Sequence, residues 1–447
     1  MTTEEKRTLW LKSMTEHPEI LSEAKENIEK YRKGFCKLHF VDEAGQPLAK
    51  KPVKITQTSH DFKFGAHIFM LDEFADENDN QTYRQLFKDY FNLATVPFYW
   101  DGLEPEQGKP RFDKHSPKIY RRPAPELCME YCEENDIATK LHCLVYDKFT
   151  PEWLPKQDEK AMIAHYEERV RQIAQHYAGR MVEFEVINET LQEVAWTTQS
   201  VLCKRRDFVE WAFALARKYL PNECLVINEG DELPVVGAHD YRAPYFMQIE
   251  KCLQNGASID KIGVQHHIFT GANAKTPEEY EQQIQNHTHL VDLVKLKKGM
   301  DILSEFGLPL EITEVTIPTF GDTPEEEALQ ADILEMLYTL WFSHPALDTV
   351  VYWNTVDGYA YVGNNSDWNE NNCRGGLFHH DLTPKASAKR LYELIHKTWH
   401  TELILTTDEN GYVEFNGFYG DYLAEIDHTI CDFGIHKNEH PVTEIIG

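Results

Sequence analysis

The chain has 447 residues, with 45 lysines and arginines against 74 aspartates and glutamates, for a formal net charge of −29. That balance argues against a nucleic-acid partner, which needs a basic face. The length suits a (β/α)₈ barrel with an appendage better than one ordinary domain. The amino terminus "MTTEEKRTLWLKSM" has no apolar signal core, and no run reaches the ~18 apolar residues of a membrane span. The expectation is a cytoplasmic protein without a membrane partner. A secreted or periplasmic protein whose leader had been removed would look the same. The oligomeric state stays open. Nine scattered cysteines without a CxxC pair read as ordinary reduced thiols rather than a metal site.

Residues 1–33 carry helical spacing up to Gly34. "CKLHFVDEAGQPLAKKPVKITQTSH" (36–60) then reads as two alternating strands around the turn Asp42-Glu43-Ala44-Gly45. "LILTTDENGYVEFNGFYGDYLAEID" (403–427) repeats strand, turn, strand, turn, strand. Neither hairpin unit can bury a face alone. The pattern predicts that 34–60 and 401–447 fold together into a small β-sandwich beside a barrel formed by 61–400. Between the two ends, apolar strand candidates alternate with helical segments. They are 62–69, 91–98, 137–146, 181–188, 224–228, 259–267, 308–314 and 347–354. Eight strand–helix repeats predict an α/β fold, a closed (β/α)₈ TIM barrel, whose active face lies at the strand carboxyl ends.

Polar residues at those ends are therefore the candidates. "MVEFEVIN" breaks off at Asn188-Glu189, and "LPLEITE" ends at Glu314. These follow the fourth and seventh strands, which face each other across a barrel mouth. Two acids on one cleft suit glycoside hydrolysis: one protonates the leaving oxygen while the other attacks the anomeric carbon or activates water. Asn188 suits a hydrogen bond to a neighbouring sugar hydroxyl. No cofactor is required, since a carboxyl pair suffices. Asn228-Glu229 repeats the pair one strand later and makes Glu229 a rival acid. Glu311, three residues before Glu314, reads as a paired acid of the barrel interior. The pairs His266-His267 and His379-His380 lack carboxylates at ligand spacing, so no metal is expected. Tyr99, Trp100, Trp353, Tyr359 and Tyr361 cluster at strand ends, where aromatic rings suit stacking on sugar faces.

On these residues the chain resembles the xylanase family of retaining glycoside hydrolases, family 10 of clan A, over about residues 60 to 400. "FEVINE" is similar to the family's W-D-V-V-N-E, which implies that Glu189 is the acid/base. "LPLEITEV" is similar to L-P-I-x-I-T-E-L-D, which implies that Glu314 is the nucleophile. "KLHCLVYDKFTPEWL" resembles H-x-L-V-W-H-x-Q-x-P-x-W and marks His142 as a sugar contact, with Tyr146 in place of a tryptophan. "IDKIGVQHHIF" aligns Gln265 and His267 around the nucleophile, with His267 holding Glu314 ionised. "VVYWNTVD" makes Trp353 a sugar platform, and Asn228 falls where the family places substrate contacts or their support. The roles require Glu189 to hold its proton more tightly than Glu314 before the first step.

The chain departs from the family after the second strand. "TVPFYWDGLEP" (95–105) stands where P-E-N-x-x-K-W is usual, removing an acid, an amide and an amine that grip sugar. Tyr99 and Trp100 suggest a stacking wall instead, and the insert "GNNSDWNENNCRGG" (363–376) suggests a cover. The reading is a retaining, endo-1,4-β-xylanase-like hydrolase of a xylan-like or decorated β-glycan. The alternative is a binding protein on an inactive barrel, which would have no need to keep both Glu189 and Glu314.

Overall fold

The computed structural model describes residues 1–192, 200–363, 367–437 and 442–446. Strands β1 (Lys33–Val41) and β2 (Pro52–Gln57) precede eight that close into one parallel barrel. These are β3 (Lys63–His67), β4 (Leu93–Pro97), β5 (Ala138–His142), β6 (Glu183–Asn188), β7 (Leu225–Glu229), β8 (Lys261–His267), β9 (Leu310–Thr316) and β10 (Leu347–Tyr352). β10 closes onto β3 with Val350 opposite Phe64. All eight expected strands are present, and helices lie between them. Burial on both faces explains their continuous Val, Ile and Leu content. β4, β6, β7, β8 and β9 are buried at every position. No helix among the described residues is long and apolar enough to cross a membrane.

The first 33 residues are not a free appendage. Three helices span Thr3–Trp10, Lys12–Glu16 and Pro18–Tyr31. Trp10 is fully buried against Phe320, and Lys6 donates to Phe320 O at 2.9 Å and Glu326 Oε1 at 2.6 Å. Arg32 donates to the carbonyls of Phe342, His344 and Leu347. The segment thus caps the outer helix Pro324–Ser343 and shares the barrel's hydrophobic core.

The ends form two sheets, as expected, but not through the expected hairpins. β11 (Glu402–Thr406), β12 (Tyr412–Phe418), β13 (Gly420–Ile426), β14 (Thr429–Ile435) and β15 (Val442–Ile446) complete them. One sheet runs β12-β1-β15 and the other β11-β2-β13-β14. β1 and β2 do not pair with each other: each crosses to a different sheet and finds a carboxyl-terminal partner. Among the described residues of these ends, β13 and β14 alone form a hairpin. Switching sheets between β1 and β2, β11 and β12, and β12 and β13 lets Leu38, Phe40, Ile55, Phe415 and Tyr422 face one shared core. The turn before β12 ends at Gly411 with φ +81°, where a Cβ would lie 2.5 Å from Phe40 O.

Candidate functional site

Two β-bulges build the mouth of the barrel. On β6, Glu185 pairs with Val226 and Ile187 with Ile227, so Val186 is an extra residue. On β9, Ile312 pairs with Val264 and Glu314 with Gln265, so Thr313 is extra. A regular strand would point Glu311 and Glu314 to opposite faces, because side chains alternate. The extra residue restores the parity and re-aims the side chains beyond it. Each candidate acid therefore comes just after a bulge. Glu189 leaves β6 with φ +53°, a left-handed conformation that glutamate adopts at a cost of ~1–3 kcal/mol. That turn answers why an apolar strand ends in an acid: the carboxylate swings off the strand into the cleft.

The cleft is about 610 Å³, and Glu189, Glu314, His142, Asn188, Gln265, His267, Tyr99, Tyr146 and Trp353 all line it. Gln265 Nε2 lies 3.1 Å from Glu189 Oε1 and 3.1 Å from Glu314 Oε1. The two carboxylate oxygens are therefore at most about 6.2 Å apart, twice the length of either contact. Tyr146 Oη donates to Glu189 Oε2 at 2.5 Å. His267 Nε2 lies 3.1 Å from Glu314 Oε2, with its Nδ1 2.9 Å from Thr316 Oγ1. His142 Nδ1 lies 2.7 Å from Glu185 Oε1 and 4.0 Å from Glu314 Oε1, and its Nε2 is 3.0 Å from Tyr99 Oη.

Burial pushes the Glu314 carboxyl well above its ordinary value, while the His142 cation pulls it down and the Glu185 and Glu189 charges add to the rise. Burial also opposes charge on His142, but Glu185 outweighs it and raises the imidazole. Glu185 itself is lowered, because burial is outweighed by His142 and Lys140. The sequence reading asks Glu314 to ionise first. Desolvation works against that, and the His142 and Lys140 charges work for it.

Two expected contacts sit elsewhere. Trp100 is a correction: it starts the short helix Trp100–Leu103, which turns its ring away from the cleft. It packs edge-on against Tyr166 and Trp153, under the Arg169 guanidinium, with Nε1 donating to Glu104 at 2.9 Å. Tyr99 faces the cleft, so neighbours in the aromatic run diverge. Asn228 does not line the cleft. Its Nδ2 reaches Glu185 Oε1 at 3.0 Å and Asn188 Oδ1 at 2.9 Å, and Thr313 Oγ1 donates to its Oδ1 at 2.7 Å. It braces the residues that line the cleft. Gly263 makes room for it, since a Cβ there would lie 3.0 Å from Asn228 Oδ1.

The rival acids are accounted for. Glu229 turns to Leu191 N at 2.8 Å and Gly230 N at 3.1 Å, and burial lifts it to about 8. Glu311 is fully buried, 2.5 Å from Lys140 Nζ. His266 is a core histidine edge-on to Trp341, and Tyr359 stacks on His380 outside the cleft. Among the described residues, one group of metal-ligand type clusters: His142, Cys143 and Glu185. Both His142 nitrogens there already meet protein partners.

The sequence reading missed several lining residues: Arg121, Arg122, Phe149, Asp231, Trp368 and Glu370. Asp231 accepts from His267 N at 2.5 Å and is lifted to about 6 by burial, against the His267 charge. The insert supplies Gly363, Asp367, Trp368 and Glu370 to the wall, while 364–366 lie outside the described residues.

The model of glycosyl hydrolase family 10 matches residues 58–394, three quarters of the chain and nearly the whole barrel. The chain belongs to glycosyl hydrolase family 10. Among relatives, an anti-sigma-I factor, RsgI6, of Acetivibrio thermocellus is 24% identical over 90% of this chain and 46% of its own length. Endo-1,4-beta-xylanase 2 of Arabidopsis thaliana is 24% identical over 89% of this chain and 33% of its own. The chain thus spans less than half of these two relatives. Endo-1,4-beta-xylanase B of Thermotoga neapolitana is 24% identical over 64% of this chain and 75% of its own. Xylanase 10B from Thermotoga petrophila, solved with xylobiose, superposes with a TM-score of 0.58 at 21% identity, covering 76% of this chain and 95% of that one. That likeness carries the family 10 barrel fold.

Proposed function

We propose that the chain is a retaining glycoside hydrolase acting on a xylan-like β-linked chain by double displacement. The observation that carries this reading is the shared contact of Gln265 with both acids, which limits their separation to about 6.2 Å. Retaining enzymes hold their carboxyl groups ~5–5.5 Å apart and inverting ones ~6.5–9.5 Å, to admit a water. Glu189, partly exposed at the cleft and held by Tyr146, protonates the leaving oxygen and later draws a proton from water. Glu314, deeper and held by His267 and Gln265, attacks the anomeric carbon and is released by that water. Trp353 and Tyr99 supply apolar walls for sugar faces. Family membership and the xylanases among the relatives support a xylan-like substrate. A purely binding role would leave the bulged, strained delivery of both acids without a use.

The test is proton NMR of the first product formed from an aryl β-xylobioside, with β-glucosides and β-galactosides alongside. The β-anomer should appear first and mutarotate afterwards. An initial α-anomer would make the enzyme inverting, and no cleavage of any of these glycosides would return the chain to a binding role.

A further inference from the structure

The wall nearest Tyr99 carries positive charge that the reaction does not need. After β4 the chain runs out through 104–120 and returns to place Arg121 and Arg122 on the cleft. The return is stapled by the buried Arg111, which donates to Gly102 O at 2.7 Å, Pro117 O at 2.8 Å and Arg122 O at 3.1 Å. Arg122 lies flat against the wall, with its guanidinium carbon 3.9 Å from the Tyr99 ring centre. One of its nitrogens donates to Arg121 O at 2.9 Å. Arg121 is 5% exposed, donates to Asn354 Oδ1 at 3.1 Å and to Tyr359 O, and its Nε meets no acceptor. Among the described residues neither arginine forms an ion pair. Lys148 lines the same wall, 5.5 Å from the Phe149 ring that Arg122 approaches to 5.6 Å.

The Glu370 charge acts on Arg121, but among the described residues no acid lies within ion-pair distance of either arginine. Glu370 is bound by Asn354 Nδ2 at 2.7 Å and faces Trp368 Nε1 at 3.4 Å. Burial lifts Asp101, against the pull of Arg122, and lifts Glu73 to about 7. A buried guanidinium without a carboxylate is costly unless a ligand supplies the charge. Stacking a second one on an aromatic face leaves its N–H edge free for a planar or tetrahedral anion. The chain's overall charge of −29 gives no general reason for such a patch.

We infer that the wall formed by Arg121 and Arg122 binds an anionic group, a carboxylate or a sulfate ester, carried by the glycan substrate. This rests on the glycosidase reading and narrows its substrate. It also amends the expectation that the altered β4 segment strips charge from the cleft: the charge returns at Arg121 and Arg122.

The test separates binding from turnover. Calorimetry on the inactive Glu314→Ala full chain compares four probes: unsubstituted xylotetraose, the same chain with a glucuronic acid branch, its methyl ester, and a sulfated xylotetraose. One anionic probe should bind at least about 10-fold more tightly than its neutral counterpart. The carboxylate and sulfate arms tell which anion it is. The advantage should shrink at high salt and fall to within about twofold in Arg122→Gln, while Arg122→Lys keeps an intermediate part because it retains charge without the fork. Arg122 is half-buried, so this variant is expected to fold even if Arg121→Gln does not. Equal affinity for charged and neutral probes, or an advantage untouched by Arg122→Gln, overturns the inference. Turnover by the wild-type chain is read separately. Cleavage of the neutral chain with no anionic preference in binding defeats this inference alone. An anionic preference without any turnover defeats the glycosidase reading alone.

Discussion

Glu311 and Glu314 lie on one strand, three residues apart, and the barrel treats them in opposite ways. Glu311, below the bulge, sits 2.5 Å from Lys140 Nζ and 3.9 Å from Lys261 Nζ. Glu183 and Glu185 share those lysines, and His142 completes the set. Lys261 also meets Asp348 at 2.5 Å, so the cations of this layer face four carboxylates. Glu314, above the bulge, stands apart from that set. It has no lysine within ion-pair reach and takes its hydrogen bonds from Gln265, His267 and Asn228. The lower layer spends its charges on each other. Burial makes the ionised state costly for both acids and lifts Glu311 to about 8, but of the two Glu314 alone lines the cleft. Two glutamates of one strand thus differ in their neighbours: Glu311 meets two lysines, and Glu314 meets the imidazoles of His142 and His267.

Substitutions can break this comparison. The largest effect on rate should come from Glu314→Gln, with a loss in kcat exceeding the ~10²–10⁴-fold typical of removing a general acid–base group. Glu189→Gln should fall within that range on substrates with poor leaving groups, and should largely spare the first step on activated aryl glycosides, as a burst in stopped-flow absorbance would reveal. In the lower layer, Lys140→Met strands Glu311 and Glu185, and should cost ~3–5 kcal/mol in urea unfolding near neutral pH. A Lys140→Met chain as stable as wild type would dissolve the distinction between the layers.

The pH dependence sharpens it. Burial raises the folded value of Glu314 above the ~4.3 of an unfolded glutamate. Its favourable contribution to stability is therefore fully present below the unfolded value and is lost as pH rises through the folded one. In the proposed mechanism activity runs the other way, since Glu314 attacks only when ionised. The acid limb of kcat/KM should lie well above the ordinary carboxylate range. The melting temperature of Glu314→Gln should gain on wild type as pH rises from about 4 to about 8. A constant difference across that range would remove the buried-charge account. The smallest effect on turnover is expected from Trp100→Phe, whose ring packs on Tyr166 outside the cleft: a modest fall in stability and little change in KM.

The barrel strands were legible because strands buried on both faces announce themselves as short apolar runs, and their polar ends marked Glu189 and Glu314. The bulges at Val186 and Thr313 were not, since an inserted residue only shifts the parity of an already apolar run. Trp100 was misplaced because a four-residue helix rotates it away from Tyr99, and Phe-Tyr-Trp carries no sign of that turn. Arg121 and Arg122 were missed because their approach depends on the return path of a loop with no periodicity, fixed by Arg111 hydrogen bonds to distant carbonyls. The sandwich was read from its alternation, while strand pairing depended on which core each turn crossed.

The central claim is that Glu314, and not its neighbour Glu311 or the rival Glu229, carries the covalent bond. Incubating the enzyme with a 2-deoxy-2-fluoro xylobioside bearing an activated leaving group, then sequencing the labelled peptide by mass spectrometry, tests it directly. The account predicts a single fluoro-sugar ester on Glu314, formed in step with loss of activity. A label on Glu311, Glu229 or Glu189, or turnover of the aryl xylobioside with inversion and no label, would contradict it.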